Sequence, residues 1–324
     1  ILYTIIIYYK PTSTRIADLK SGFAQILGAS DVTEVSSISS LTQISNVNVT
    51  TLPIQFGSAN AAYFVYMNPY IVSNFSNIYV REAIASAINY SGIINGVFGN
   101  LAQQWIGPVP PGFPFYNQTV TGLTPYSYNA TKAALMLAKA GYQAILPNGT
   151  KINSGGMAFP TLNFLYSQDL ISESKAVIFI QAELGAIGIN VNLVSLPFSQ
   201  YTAELFSSSS AGTYGFGMSY YSEDYTASQD YVTALATNNY TGAPTLSPSE
   251  VTYASNAASA TDNTTLIHAF QNVTNTMFTS YQNAWLYVPD FLAVNYKNVV
   301  GMVANPTGSC AGYFMYYNTV HYSS

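Results

Sequence analysis

Charged side chains are scarce in this chain of 324 residues, of which only 7% are Asp, Glu, Lys or Arg. An average soluble protein has about 25%. The formal net charge is −5, with Lys and Arg together numbering 9. So few cations cannot form the basic surface that binds phosphate backbones, and we therefore exclude nucleic acid as a partner.

The scarcity of charge also suggests a hypothesis about habitat. In an acidic medium carboxylates are protonated and no longer balance Lys and Arg, so a chain with few basic residues limits its own repulsion. Hydroxyl and amide groups must then supply most of the polar surface. We interpret this composition as typical of the outer surface of an acidophile.

Cysteine and histidine are almost missing. Cys310 is the only cysteine, which excludes an internal disulfide framework and a cysteine-based metal cluster. His268 and His321 are the only histidines, and neither has an acid or nucleophile at a recognised spacing. We expect no enzymatic activity, no cofactor and no metal.

Long hydrophobic runs are absent as well. No apolar run approaches the roughly 18 residues of a membrane helix, although 49% of the residues are hydrophobic and can form a large core or two domains. The chain begins with Ile and lacks the charged first region of a signal peptide. We expect a piece of a longer precursor, anchored to a membrane through a segment that is not contained here.

The stretch from Ile78 to Asn100 carries the strongest helical pattern. Its apolar residues recur at the spacing of one helix face. Asn89 interrupts the pattern where an Asn can cap a second helix, and Gly99 can end that helix. We predict helices over Ile78–Ile88 and Ser91–Phe98, with Arg81 as a structural anchor.

Strands and helices alternate further along the chain. Asn129 predicts another helix cap, and Phe159–Tyr166 has the composition of a strand. A helix over Ser172–Ile187 and a strand from Gly188 complete a strand–helix–strand unit. The fold class is therefore α/β.

An ordered series of motifs resembles one known family, the extracellular solute-binding proteins of family 5. These deliver dipeptides, oligopeptides and, in archaea, oligosaccharides to ABC importers. The series comprises V-R-x-A-I-x-x-A-I-N at Val80–Asn89, GPVPPGFPFY at Gly107–Tyr116, YNATKAALMLAKAGY at Tyr128–Tyr142, and Gln181, Leu184, Gly188 and Ile189.

The resemblance implies a two-lobed, periplasmic-binding-protein-like (type II) fold from which the family's N-terminal part is missing. Residues 1–61 would form part of the base lobe, 62–296 the second lobe, and 297–324 the return to the base lobe. A ligand would bind in the cleft between the lobes.

The stretch YYSEDYTASQDYV, from Tyr220 to Val232, resembles the family's W-x-x-D-Y-x-D-P signature, without its final Asp-Pro. Tyr221 takes the aromatic position, and Asp224 and Tyr225 take the D-Y. The resemblance implies that Asp224 receives the α-ammonium group of a peptide. The alternative is an aspartate that only caps its loop.

Aromatic residues supply the other candidate ligand contacts. Tyr220, Tyr221 and Tyr225 can stack on sugar rings, and Trp105 can either stack on a ligand or fill the core of its lobe. In the family, the segment containing Tyr66 carries the chain between lobes. Tyr66 is therefore a candidate for the hinge or cleft floor, with an ordinary strand residue as the alternative.

Sequons for N-linked glycans are frequent. We place glycans first in the turn-like stretches at Asn117, Asn148 and Asn239, and rank Asn89 last because we expect it at a packed helix junction. The other sequons are at Asn129, Asn263, Asn48, Asn74 and Asn272.

Two hypotheses about function follow. The first is an extracellular, cell-surface component of an ABC importer, which captures an oligopeptide or oligosaccharide and delivers it to a membrane permease. The second is a glycosylated structural protein of a surface or filament that reuses the same fold. The abundance of hydroxyl groups and sequons suits the second, and the ordered motifs favour the first.

Overall fold

The computed structural model describes residues 12–27, 41–52, 62–146, 148–207, 212–221, 228–237, 246–301 and 320–323. The described helices are α1 (Thr12–Ser21), α2 (Ile78–Ala87), α3 (Tyr90–Phe98), α4 (Tyr116–Thr119), α5 (Ala130–Lys139), α6 (Ile171–Ala186), α7 (Phe198–Leu205), α8 (Ser228–Thr237), α9 (Pro248–Ser259) and α10 (Asn263–Thr279). A 3₁₀ turn lies at Ser73–Ser76.

The described strands are β1 (Ile26–Leu27), β2 (Val47–Leu52), β3 (Ala62–Met67), β4 (Ala102–Gln103), β5 (Tyr142–Ile145), β6 (Lys151–Asn153), β7 (Leu162–Ser167), β8 (Val191–Leu196), β9 (Phe216–Tyr221), β10 (Asn283–Pro289), β11 (Phe291–Tyr296), β12 (Val299–Val300) and β13 (His321–Tyr322). Six form the larger sheet, in the order β4-β10-β3-β9-β7-β8. A smaller sheet has the order β1-β11-β2, and two further pairs are β5-β6 and β12-β13.

Strand β3 lies in the middle of the larger sheet, and all of its residues are buried. Its side chains alternate between two apolar clusters, with Val65 on one face and Phe64 on the other. Helices α2, α3, α5 and α6 cover the Val65 face, whereas α7 to α10 cover the Phe64 face. The larger sheet is therefore the middle layer of an α/β/α arrangement.

The predicted helical pair is confirmed. The Asn89 side chain accepts a hydrogen bond from the Gly92 amide at 2.9 Å and so caps α3. Gly99 ends α3 in the left-handed region, at φ 55°. Arg81 is buried and donates to the carbonyl oxygens of Phe75 and Ser280, which agrees with its predicted structural role.

The predicted strand–helix–strand unit is also confirmed. Strand β7, helix α6 and strand β8 follow one another, and β7 pairs with β8 in parallel. Asn129 caps α5 by accepting from the Lys132 amide at 2.8 Å.

The predicted lobe boundaries stay predictions, and the strand pairing bears on one of them. The sequence-based division includes residues 291–296 in the second lobe, but β11 pairs along its whole length with β2. Only Asp290 separates β10 from β11. The chain therefore passes from the larger sheet to the smaller one without a Gly- or Asn-rich turn that would mark the change in the sequence. We propose that the second lobe ends at Asp290.

We predict that Asn89→Ala lowers the free energy of unfolding by about 1 kcal/mol, because the mutation removes the cap of α3. Urea unfolding followed by circular dichroism measures this change. Asn95→Ala, at an exposed position of the same helix, is the matched control and should change stability by less than about 0.5 kcal/mol. Equal losses in both variants would contradict the capping role.

Glu250 gives the fold a pH dependence. It is fully buried in the first turn of α9, and burial raises its pKa to about 7, against the opposing effects of the Leu246 amide, Gln282 and Arg81. Its unfolded pKa lies near 4.5. Because the folded pKa is the higher one, its stabilising contribution is complete below about pH 4.5 and is lost as the pH rises through 7.

We therefore predict that the protein is more stable at pH 4.5 than at pH 7.5, with Glu250 contributing on the order of 3 kcal/mol to the difference. Urea unfolding across this range measures it. Glu250→Gln stays uncharged at every pH and should flatten the dependence. An unchanged pH profile in this variant would show that Glu250 is not its source.

Candidate functional site

One edge of the larger sheet collects the ends of five strands. Strands β7 and β8 end together, with Ser167 opposite Leu196, and β9 runs parallel to β7. Tyr221, at the end of β9, lies opposite Ala62, the first residue of β3. Strand β10 ends at the same edge, since Tyr287 lies opposite Tyr63. We call this the crossover edge.

The chain passes twice between the two sheets at the crossover edge. Residues 53–61 connect the end of β2 to the start of β3, and Asp290 alone connects β10 to β11. Leu52 and Phe291, which flank these connections, lie opposite each other in the smaller sheet. The crossover edge therefore faces the junction of the two sheets. In open α/β sheets, ligands bind outside the carboxyl ends of the strands.

Aromatic rings form a continuous row along the crossover edge. Phe198 and Tyr220 stack with their ring centroids 6.5 Å apart and their planes 21° apart. Tyr220 contacts Tyr63 at 5.7 Å, and Tyr63 contacts Tyr287 at 5.0 Å. Tyr63 and Tyr287 are buried, whereas Phe198 is 39% exposed and Tyr220 is partly exposed. The outer end of the row can therefore contact a ligand.

Phe198 was missed by the sequence analysis. It begins α7 directly after Pro197, at the carboxyl end of β8, and its amide donates to Asp169 Oδ2 at 2.7 Å. Strand β8 was predicted, and ligands bind beyond the carboxyl ends of parallel strands. This rule would have identified Phe198 as a candidate ligand contact.

The structure places the predicted site residues in different environments. Tyr220 and Tyr221 end β9 and are partly exposed at the crossover edge. Asp224 and Tyr225 lie outside the described residues, but the chain leaves β9 at Tyr221, three residues before Asp224.

Trp105 and Tyr66 are not available for stacking on a ligand in this structure. Trp105 is fully buried, donates its indole N–H to the Tyr63 carbonyl at 2.8 Å and packs edge-on against Trp285. The structure therefore favours its interpretation as a core residue. Tyr66 is 1% exposed and donates to the Tyr214 carbonyl, as an ordinary buried strand residue does. Burial raises the pKa of Tyr66 above its usual range.

Most of the described sequon asparagines are exposed, and two of the sequons have a distinctive structure. Asn117 is exposed but lies in the short helix α4 and not in a turn. Asn74 is only half-exposed, and its amide donates to the Tyr142 hydroxyl at 2.8 Å. Asn239 lies outside the described residues. The other exposed ones are Asn48, Asn129, Asn148, Asn263 and Asn272.

Two kinds of feature are not present among the described residues. None of the helices there is long and apolar enough to cross a membrane. Within the same ranges, no group of three His, Cys, Asp or Glu side chains is placed to hold a metal ion.

Comparison with solved structures defines the class of fold. The ABC transporter-associated periplasmic binding protein DppA from Helicobacter pylori, in complex with the peptide STSA, matches with a TM-score of 0.75 and 20% identity, over 97% of this chain and 56% of that one. NikA from Brucella suis, in complex with Fe(III)-EDTA, matches with a TM-score of 0.77 and 16% identity, over 96% of this chain and 60% of that one. The chain therefore has the α/β fold of type II periplasmic binding proteins.

The sequence comparisons identify the family. The model described as bacterial extracellular solute-binding proteins, family 5 Middle, matches residues 2–243. The chain belongs to this family, as its motifs predicted. A curated relative is the probable D,D-dipeptide-binding periplasmic protein DdpA from Escherichia coli K12, 24% identical over 281 residues. That alignment covers 85% of this chain and 49% of DdpA, so the chain spans about half the length of this relative.

Proposed function

We propose that the protein of which this chain forms part captures oligopeptides outside the cell and delivers them to the permease of an ABC importer. The crossover edge is the observation that carries this proposal. It combines strand carboxyl ends, two chain crossings and a partly exposed row of rings at the junction of two sheets. Closure of one lobe on the other would enclose a ligand there, through contacts from both lobes.

The distribution of charge supports a peptide as the ligand. Among the described cations of the second lobe, three lie at the edge opposite the crossover edge, whereas Lys175 lies near the start of α6, which follows β7 at the crossover edge. Arg81 binds the Ser280 carbonyl before β10 begins, Lys132 pairs with Glu82 at 2.9 Å beside Tyr281, and the Lys151 amide donates to the carbonyl of Gly188, which precedes β8.

Two described acidic residues lie close to the crossover edge, whereas Glu82 lies at the opposite edge beside Lys132. Asp169 follows the end of β7 and Asp290 follows the end of β10, while Glu223 and Asp224 follow β9 in the sequence. Such a site suits a ligand with a cationic group, and the α-ammonium of a peptide is one. A carboxylate in a closed cleft would bind it through a charge-assisted hydrogen bond. The names of the relatives, DppA with a bound peptide and DdpA, agree with this class.

An oligosaccharide is the second ligand class. The partly exposed Phe198 and Tyr220 rings can pack against the C–H face of a sugar as well as against an apolar peptide side chain. Asp224 separates the two classes, because a neutral sugar needs no carboxylate to balance a charge.

We predict that a tripeptide library raises the melting temperature of the full-length protein and that Asp224→Asn weakens peptide binding about 10-fold or more, since it removes a charge-assisted hydrogen bond. Calorimetric titration with a tripeptide from the library measures the affinity. Glu223→Gln, at the preceding position in the sequence, is the matched control and should bind as the unaltered protein does.

Three other outcomes would count against this proposal. A shift with maltotriose but not with peptides would favour the oligosaccharide. The absence of any shift, together with ordered self-association in micrographs, would favour the structural alternative. Equal losses in both variants would remove the specific role of Asp224.

We also propose N-linked glycans on the exposed surface. Of two described sequons, Asn148 is the preferred site and Asn74 the less suitable one. The Asn148 side chain accepts from the Thr150 amide within an exposed turn, so its own amide is available. The Asn74 amide is half-buried and already donates to Tyr142. Mass spectrometry of proteolytic fragments of the native protein should show a modified Asn148 and an unmodified Asn74. Glycans on Asn74 but not on Asn148 would contradict this order.

A further inference from the structure

A buried carboxylate lies beneath the crossover edge. Glu173 is fully buried, although it belongs to a residue class that is almost never buried without partners. It occupies the first turn of α6, where the helix dipole favours negative charge. Its Oε2 accepts from the Ser167 amide at 2.9 Å, so it binds the last residue of β7.

Tyr201 connects this carboxylate to two other elements. Its hydroxyl lies 3.2 Å from Glu173 Oε1 and 3.1 Å from the Met218 carbonyl oxygen, which belongs to β9. Tyr201 itself lies in α7 and is fully buried. Burial and the nearby Glu173 raise the pKa of Tyr201 well above its usual value, so the hydroxyl keeps its proton. One network therefore links β7, α6, α7 and β9.

The same network lies next to the exposed ring pair. The Phe198 ring is 6.3 Å from the Tyr201 ring, within the same helix. Tyr220 lies two residues beyond Met218 on β9, and it stacks on Phe198. The orientation of α7 relative to β9 determines how these two rings face each other, and the Tyr201 hydroxyl is a buried group that joins α7 to β9.

We infer that Glu173, through Tyr201, is a positioning residue that holds the Phe198–Tyr220 ring pair in place for ligand contact at the crossover edge. This inference rests on the proposed function and adds Phe198 to the ligand-contacting surface. It assigns Glu173 a role that a surface carboxylate cannot have, because rigid positioning of contact residues depends on buried hydrogen-bonded support.

The test compares Tyr201→Phe with Tyr90→Phe in the full-length protein. The Tyr90 hydroxyl is also buried and donates to the Ala85 carbonyl at 2.8 Å, away from the crossover edge. Each variant loses one buried hydroxyl, so both should lower the melting temperature by a similar amount, about 2–4 °C. Only Tyr201→Phe should weaken binding of a tripeptide from the library, by roughly 10-fold.

A conservative variant separates positioning from mere stability. Glu173→Gln keeps an acceptor for the Ser167 amide and a donor toward the Tyr201 oxygen, so its tripeptide affinity should lie close to that of the unaltered protein. Glu173→Leu should lose affinity as Tyr201→Phe does. Similar affinities for Tyr201→Phe and Tyr90→Phe would overturn the inference.

A measurement without ligand keeps the inference distinct from the proposed function. Hydrogen–deuterium exchange of fragments covering 196–206 and 216–221 should accelerate in Tyr201→Phe but not in Tyr90→Phe. If the unaltered protein binds neither peptide nor maltotriose, the proposed function fails, and the exchange rates still decide whether the network positions the ring pair. Equal exchange in both variants would refute positioning.

Discussion

The structure depends on one buried strand. Strand β3 is covered on both faces and pairs with β9 on one side and β10 on the other. Its six residues contribute side chains to both apolar clusters, so both helix layers pack against it. The candidate site follows from the same pairing. Because β3 runs antiparallel to both neighbours, its first residue lies where they end, and the chain must enter the sheet where β9 and β10 leave it.

Local signals made much of this fold predictable. Asn89 and Asn129 cap helices because a short side chain can satisfy free amides in the first turn, and that property is local. The parallel pair β7 and β8 was predictable because a helix of suitable length lies between two apolar stretches. In both cases the residues that determine the structure lie within a few turns of each other in the sequence.

The parts that could not be predicted depend on contacts between distant residues. Trp105 and Tyr66 are aromatic residues of the types that often contact ligands. In the structure, however, Trp105 donates a hydrogen bond to a carbonyl 42 residues away in the sequence, and Tyr66 donates to one 148 residues away. Strand β11 belongs to the smaller sheet because it pairs with β2. Nothing in the sequence of β11 itself indicates that partner. Glu173 gave no signal, because only its distance from Tyr201 distinguishes it from a surface acid at a helix start.

Because charged residues are scarce, the few buried acids have a large influence on how stability depends on pH. Burial raises the pKa of Glu250 to about 7, and burial likewise raises that of Glu183, although the Asn89 amide opposes the shift. Both acids therefore stabilise the folded state more at low pH than at high pH. Recognition of an ammonium group by a carboxylate instead requires a higher pH, because an aspartate in water is ionised only above about pH 4. An aspartate that binds a peptide amine must stay ionised, whereas the rings of Phe198 and Tyr220 can contact a neutral ligand at any pH.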